Sequence, residues 1–186
     1  MKILNLCLLI ILLMADACWS GHVNCRMANW WTSFDYKGWS QCDSKEYVTG
    51  FMRNHRTRSD PIGLLEEGRC CKALAPYQDT SSTCEYTDWW AALDGNYDWA
   101  YCRNGYFVQD LYRSSGHGVS NIEAAYCCKP STLNGYGNCY TEDVWSSFDK
   151  RGIEGCRDGY YLVGIYKGGC NRLHCIEKFK CCEMGV

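Results

Sequence analysis

Residues 121–130 read NIEAAYCCKP, and the adjacent cysteines Cys127 and Cys128 decide how the chain is organised. The same ending occurs at 64–73 (LLEEGRCCKA) and at 174–183 (HCIEKFKCCE). Before each doublet a single cysteine stands 25 or 28 residues upstream, and another 17 or 18 residues before that. The chain therefore contains three units, 25–71, 84–128 and 139–182, each with the cysteine order C, C, CC. Self-similarity at a fixed period is the signature of a repeat architecture.

The alignment extends beyond cysteine. Six residues after each first cysteine stands a tryptophan (Trp31, Trp90, Trp145), and ten after it an aspartate (Asp35, Asp94, Asp149). A large apolar residue precedes each aspartate: Phe34, Leu93, Phe148. The stretches FDYKG, LDGNY and FDKRG read as turns in which the aspartate caps a nearby backbone N–H. After each second cysteine, EYVTGFMR, YFVQDLYR and YYLVGIYK are rich in aromatic and β-branched residues and read as strands. A polar loop leads from each to a second strand that ends in the doublet. The unit is thus a β-hairpin preceded by a Trp-bearing segment, with at most one helical turn at VWSSFDK. The expected fold is all-β: three tandem disulfide-stapled hairpin repeats of about 55 residues, with pseudo-threefold symmetry of the β-prism or β-trefoil kind. Closing the three units on one another would remove exposed strand edges.

Neighbouring residues on a strand face opposite ways, so the members of a doublet address different partners. One scheme ties the hairpin across its open end, pairing Cys42 with Cys70, Cys102 with Cys127 and Cys156 with Cys181. The other doublet member then holds the Trp segment: Cys25 with Cys71, Cys84 with Cys128, Cys139 with Cys182. Exchanging partners within each unit is the alternative. Cys170 and Cys175 remain to pair with each other. Closing a loop of this length contributes roughly 3 to 4 kcal/mol in the chain-entropy model. Metal ligation is the rival use of clustered cysteine, but no C-x2-C pairs with a second at finger spacing, so no metal is expected.

Residues 1–20 read as a secretory signal peptide, with Lys2 ahead of an apolar run too short to span a bilayer. Cleavage after Ala17 would leave fifteen cysteines and cleavage after Ser20 fourteen. Even parity favours Ser20 in an oxidising compartment, giving one domain, 21–186, secreted to the extracellular space. Lys and Arg number 19 against 21 Asp and Glu, so the charge balance offers nothing to nucleic acid. No second long apolar run occurs, and no transmembrane segment is expected.

The segment CEYTDWWAALDGNYDWAYCRNGYFVQDLYRSS (84–115), with IEAAYCC (122–128), resembles the repeat of the dermatopontin family of secreted matrix proteins. The likeness covers all three units and rests on cysteine, tryptophan and glycine placement. The family's Asp-Arg-Glu/Gln-Trp hallmark is absent; Leu65-Glu66, Ile122-Glu123 and Ile176-Glu177 stand in its place. The resemblance implies an extracellular-matrix or glycan-binding role, as in lectin and shell-matrix relatives, and no catalysis.

Arg53, Arg113 and Lys167 recur eleven residues after each second cysteine, and Glu66, Glu123 and Glu177 four before each doublet. Exposed cross-strand ion pairs would explain them at a few tenths of a kcal/mol each. The sharper reading makes the cations ligands for sulfate or carboxylate groups. The hairpin loops add His55, Arg56 and Arg58 in the first unit and Arg172 in the third, at the kind of position where a rigid scaffold carries binding groups. Trp31, Trp90 and Trp145, repeated in register, are expected in the core. Trp30, Trp89, Trp39 and Trp99 are expected as exposed rings for sugar. One aspartate per unit falls far short of a Ca²⁺ shell. None of His22, His55, His117 and His174 sits in a catalytic motif, so neither an enzyme nor a cofactor is expected.

The expectation is a secreted, non-enzymatic matrix or lectin-like protein that binds an acidic polysaccharide or matrix glycoprotein through basic loops. A self-assembling component of an egg coat, shell, mucus or adhesive, in which the chain forms a homo-oligomer or matrix, is one alternative. A defence factor or toxin subunit is the other.

Overall fold

The computed structural model describes residues 24–185, and the expected signal peptide lies outside them. The chain is all-β, with twelve strands among the described residues. The first unit contributes β1 (Cys25–Asn29), β2 (Gly38–Gln41), β3 (Glu46–Arg53) and β4 (Leu65–Lys72). The second contributes β5 (Ser82–Asp88), β6 (Asp98–Tyr101), β7 (Phe107–Arg113) and β8 (Ile122–Pro130). The third contributes β9 (Tyr136–Asp143), β10 (Gly152–Gly155), β11 (Tyr161–Lys167) and β12 (Ile176–Met184).

Each unit thus makes four strands where the sequence predicts two. The Trp segment is itself a strand, a short turn and another strand. The turn is a five-residue helix at Trp31–Asp35 and at Trp90–Asp94, and a non-helical turn in the third unit. A helix this short carries no amphipathic period, so periodicity cannot reveal it.

The strands form three antiparallel sheets, ordered β1-β4-β3-β10, β2-β7-β8-β5 and β6-β11-β12-β9. Each holds three strands of one unit and the short strand of another. β2 of the first unit pairs with β7, β6 of the second with β11, and β10 of the third with β3. The lending therefore runs once round the three units and returns to its start.

Glycine makes two of these joints possible. A Cβ on Gly50 of β3 would lie 2.9 Å from Gly155 Cα in β10. One on Gly164 of β11 would strike Ala100 O and the Tyr101 ring in β6. At the equivalent place in β7 stands Asp110, whose carboxylate accepts from Gln41 Nε2 at 3.3 Å.

Tyr47, Phe107 and Tyr161, each five residues past its unit's second cysteine, meet edge to face at centroid distances of 5.6 to 6.0 Å. Such offset aromatic contacts stabilise beyond the area they bury. The two phenols reach polar partners: Tyr47 Oη lies 3.0 Å from Ser82 Oγ, and Tyr161 donates to Lys72 O at 2.9 Å. A second aromatic layer links Trp30, Phe51, Phe179 and Phe148 at 5.6 to 5.9 Å.

Seven disulfides join Cys25–Cys71, Cys42–Cys70, Cys84–Cys128, Cys102–Cys127, Cys139–Cys182, Cys156–Cys181 and Cys170–Cys175. The first cysteine of each unit lies directly across the ladder from the second of its doublet. The other doublet member turns to the opposite face.

Candidate functional site

The site begins with a residue type that sequence reasoning passed over. Asn29, Asp88 and Asp143, each four residues after a first cysteine, accept the backbone N–H of Trp31, Trp90 and Trp145 at 3.0, 2.9 and 3.1 Å. A side-chain oxygen accepting from the N–H two residues on is an Asx turn. It starts the short turn after each first strand and fixes which of two neighbouring residues points inward.

The inward residue is the one before the repeated tryptophan. Trp30 and Trp89 are 1 % exposed, and Val144 takes the same buried place in the third unit. Their indole N–H groups donate to Gln41 O at 3.1 Å and Tyr101 O at 3.0 Å. Trp31, Trp90 and Trp145 are left outside, 61 %, 55 % and 63 % exposed. This reverses the expectation for the repeated set and, in the other, for Trp30 and Trp89. The core accepts either tryptophan or valine, whereas the ring that never varies is on the surface. Trp39 and Trp99 are half-buried on sheet faces.

The repeated cations are also inverted. Arg53, Arg113 and Lys167 are 0 %, 3 % and 1 % exposed, so none of them projects into solvent as a loop cation would. Nor do they pair across the hairpin with the repeated glutamates; Asn54 Nδ2 donates to Glu66 at 2.7 Å instead. Each cation crosses to the Trp turn of another unit. Arg53 donates to Phe148 O at 2.9 Å, Arg113 to Phe34 O at 2.5 Å, and Lys167 to Leu93 O at 2.6 Å and Gly95 O at 2.8 Å. These carbonyls end the turn, where cations are favourable and unpaired acceptors are costly. Burial pushes the Arg113 guanidinium and the Lys167 ammonium down from their usual values, with Asp35 and Asp94 opposing.

The hairpin loops follow the same circuit. His117 O accepts from Ile62 N–H at 2.9 Å, Asn171 Oδ1 from Ser120 N–H at 2.8 Å, and Asp60 O from Leu173 N–H at 2.9 Å. Three seams result, each combining a Trp turn with a loop from another unit.

The seams differ in chemistry. At the first, Trp31, Asp35, Tyr36, Glu66 and His117 line an open cleft of about 450 Å³, floored by Arg113. At the third, Arg56 donates to Asp149 at 2.7 Å, on the turn that carries Trp145, and its other nitrogen lies 3.2 Å from His174 Nε2. Asp60 lies beneath, 2.5 Å from Arg53 and 2.8 Å from His174 Nδ1. Burial works against the Asp60 charge, but these hydrogen bonds prevail and hold its carboxyl below the usual carboxylate range. Of the basic residues expected to bind ligand, His55, Arg56, Arg58 and Arg172 stay at this rim, with Arg172 Nη1 donating to Arg58 O at 3.3 Å.

Cys170, His174 and Cys175 lie close enough to hold a metal, but the two sulfurs are joined in a disulfide and present no thiolate. No family model, curated protein or solved structure matches the chain. No described helix is long and apolar enough to cross a membrane.

Proposed function

We propose that this is a secreted, non-enzymatic matrix or lectin-like protein whose three units form one pseudo-threefold domain of the β-prism or β-trefoil kind, related to the dermatopontin repeat, and bind glycans at their seams. One observation carries the reading. A large aromatic ring occupies the same position in all three units, is more than half exposed, and sits on a turn anchored by an Asx cap and a buried cation. Exposing three indoles forgoes the burial that tryptophan offers a core. A ring held rigid at the surface offers its face to an apolar partner, such as the C–H face of a sugar, at little entropic cost. Seven disulfides suit an oxidising compartment.

The seams select different sugars. Beside Trp31, Asp35 and Glu66 offer acceptors for sugar hydroxyls, which suits a neutral glycan. Beside Trp145, Arg56 and its neighbours Arg58 and Arg172 suit a sulfated or carboxylated one. Acidic-glycan binding thus belongs to one seam instead of three. The test is a glycan array of neutral and acidic oligosaccharides, probed with the wild type and two variants. Trp31→Ala/Trp90→Ala/Trp145→Ala should lose all binding while melting like the wild type. Arg56→Ala/Arg58→Ala/Arg172→Ala should lose only the acidic glycans. Full binding by the triple tryptophan variant would refute the proposal.

A further inference from the structure

The strand exchange also builds three sheet faces that the glycan reading does not use. In an antiparallel ladder, directly opposed residues share a face, and so do residues two apart on one strand. On the β2-β7-β8-β5 sheet one row across the strands is Trp39, Tyr112, Ala124, Asp88, and the next is Gln41, Asp110, Tyr126, Tyr86. On the β6-β11-β12-β9 sheet the same rows read Trp99, Tyr166, Lys178, Asp143 and Tyr101, Gly164, Lys180, Thr141. On the β1-β4-β3-β10 sheet they hold no aromatic ring: Ile153, Met52, Glu67, Asn29 and Gly155, Gly50, Arg69, Met27.

Two of the faces are aromatic, and they differ in charge. On the first, Trp39 packs against Tyr112, Tyr126 and Tyr86 at 5.3, 6.1 and 6.3 Å, and Tyr86 and Tyr126 stay exposed. Its charges are acidic. Asp88 is exposed, Asp110 lies under the rings with one carboxylate oxygen buried and without a hydrogen-bond partner, and Glu123 is close enough to act with Asp88 on the Tyr86 phenol. On the second, Trp99 stacks on Tyr101 at 5.0 Å and meets Tyr166 at 5.2 Å. There Lys178 and Lys180 replace Ala124 and Tyr126; Lys178 lies 5.0 Å from the Tyr166 ring, Asp143 is the one carboxylate in its rows, and Asp98 stands at the edge near Tyr101. Among the described residues neither lysine has an ion-pair partner.

We infer that the acidic aromatic face of the β2-β7-β8-β5 sheet docks on the basic aromatic face of the β6-β11-β12-β9 sheet of a second copy of this chain. Charge complementarity selects the partner: lysine ammonium groups meet carboxylates and electron-rich ring faces, while like faces repel. The two surfaces are different, so each contact leaves one of each kind free, and association continues into a filament or a ring. Four strands span only about 15 to 20 Å, which places the contact at the small, transient end of interfaces. It therefore acts where local concentration is high, and it weakens with salt.

The test is sedimentation velocity of the disulfide-bonded protein, over a concentration series in low and high salt. The wild type should associate at low salt and dissociate at high salt. Lys178→Glu/Lys180→Glu spoils the basic face, and Tyr86→Lys/Tyr126→Lys spoils the acidic one; residue 180, the counterpart of 126, already carries lysine on the same scaffold. Each variant should self-associate at least tenfold more weakly while keeping its melting temperature, and an equimolar mixture should regain association. A wild type that stays monomeric, a variant that associates like the wild type, or a mixture that stays monomeric would each overturn the inference.

Discussion

Lys167 shows what one buried cation does here. Its ammonium sits at 1 % exposure and satisfies two carbonyls that end the Trp90 turn. Lys167→Met keeps the packing volume and strands both acceptors, so it should destabilise by about 2 to 4 kcal/mol. Arg58→Ala, at the exposed loop tip, should stay within about 0.5 kcal/mol; urea unfolding distinguishes the two. Asp110 acts in the opposite sense. Burial raises its carboxyl to about 6, with Gln41 and the Cys42 N–H opposing. Its folded value lies above its unfolded one, so its contribution is fully present below about pH 4 and lost as pH rises through about 6. Asp110→Asn should therefore stabilise the protein by on the order of 2 to 3 kcal/mol at pH 8 and by little at pH 4. Stability curves at the two pH values check this. Asp60 runs the other way: its lowered carboxyl contributes stability above the unfolded carboxylate range that is lost as the pH falls below it.

At the scale of elements, the lent strands hold the units together. In this joint β10 approaches β3 so closely that a Cβ on Gly50 or Gly155 would strike the other strand's backbone. Gly50→Ala should push the strands apart, at about 1 to 3 kcal/mol, and hydrogen exchange should speed up in β10 before the rest of its unit. Much of the elements was legible in the chain. The long strands follow from aromatic and β-branched runs, and the disulfide partners coincide with one scheme that strand alternation allows. The short strands were not legible, because four residues such as Gly38–Gln41 carry too little alternation, and their partners belong to another unit. The site was half legible for a related reason. A repeated residue marks a repeated role, but repetition alone does not say whether that role is packing or presentation. Trp31 and Arg53 each received the other's environment in the reading of the chain. The signals that could have corrected it are Val144, which shows that the neighbouring position is the apolar one, and the Asx residue two before each tryptophan.

At the scale of the whole molecule, the interior cations and the exterior indoles form one device: each unit supplies the clamp for another unit's ring. Three rings on one body predict avidity. Trp31→Ala alone should weaken retention on a dense surface that carries both neutral and acidic glycans more than threefold, while the affinity of the Trp145 seam for a soluble monovalent acidic glycan is unchanged. A loss no greater than one site's share would mean that the sites do not act together; surface plasmon resonance at two glycan densities separates the cases. Weak head-to-tail association of copies would multiply the same effect.

The most direct measurement is oxidative footprinting of the tryptophans by mass spectrometry, with and without a glycan that the protein retains. Trp31, Trp90 and Trp145 should be oxidised fastest in the free protein, with Trp30 and Trp89 protected; a neutral glycan should slow oxidation of Trp31 and an acidic one that of Trp145. Rapid oxidation of Trp30 and Trp89, or a glycan that protects none of the three, would contradict the account.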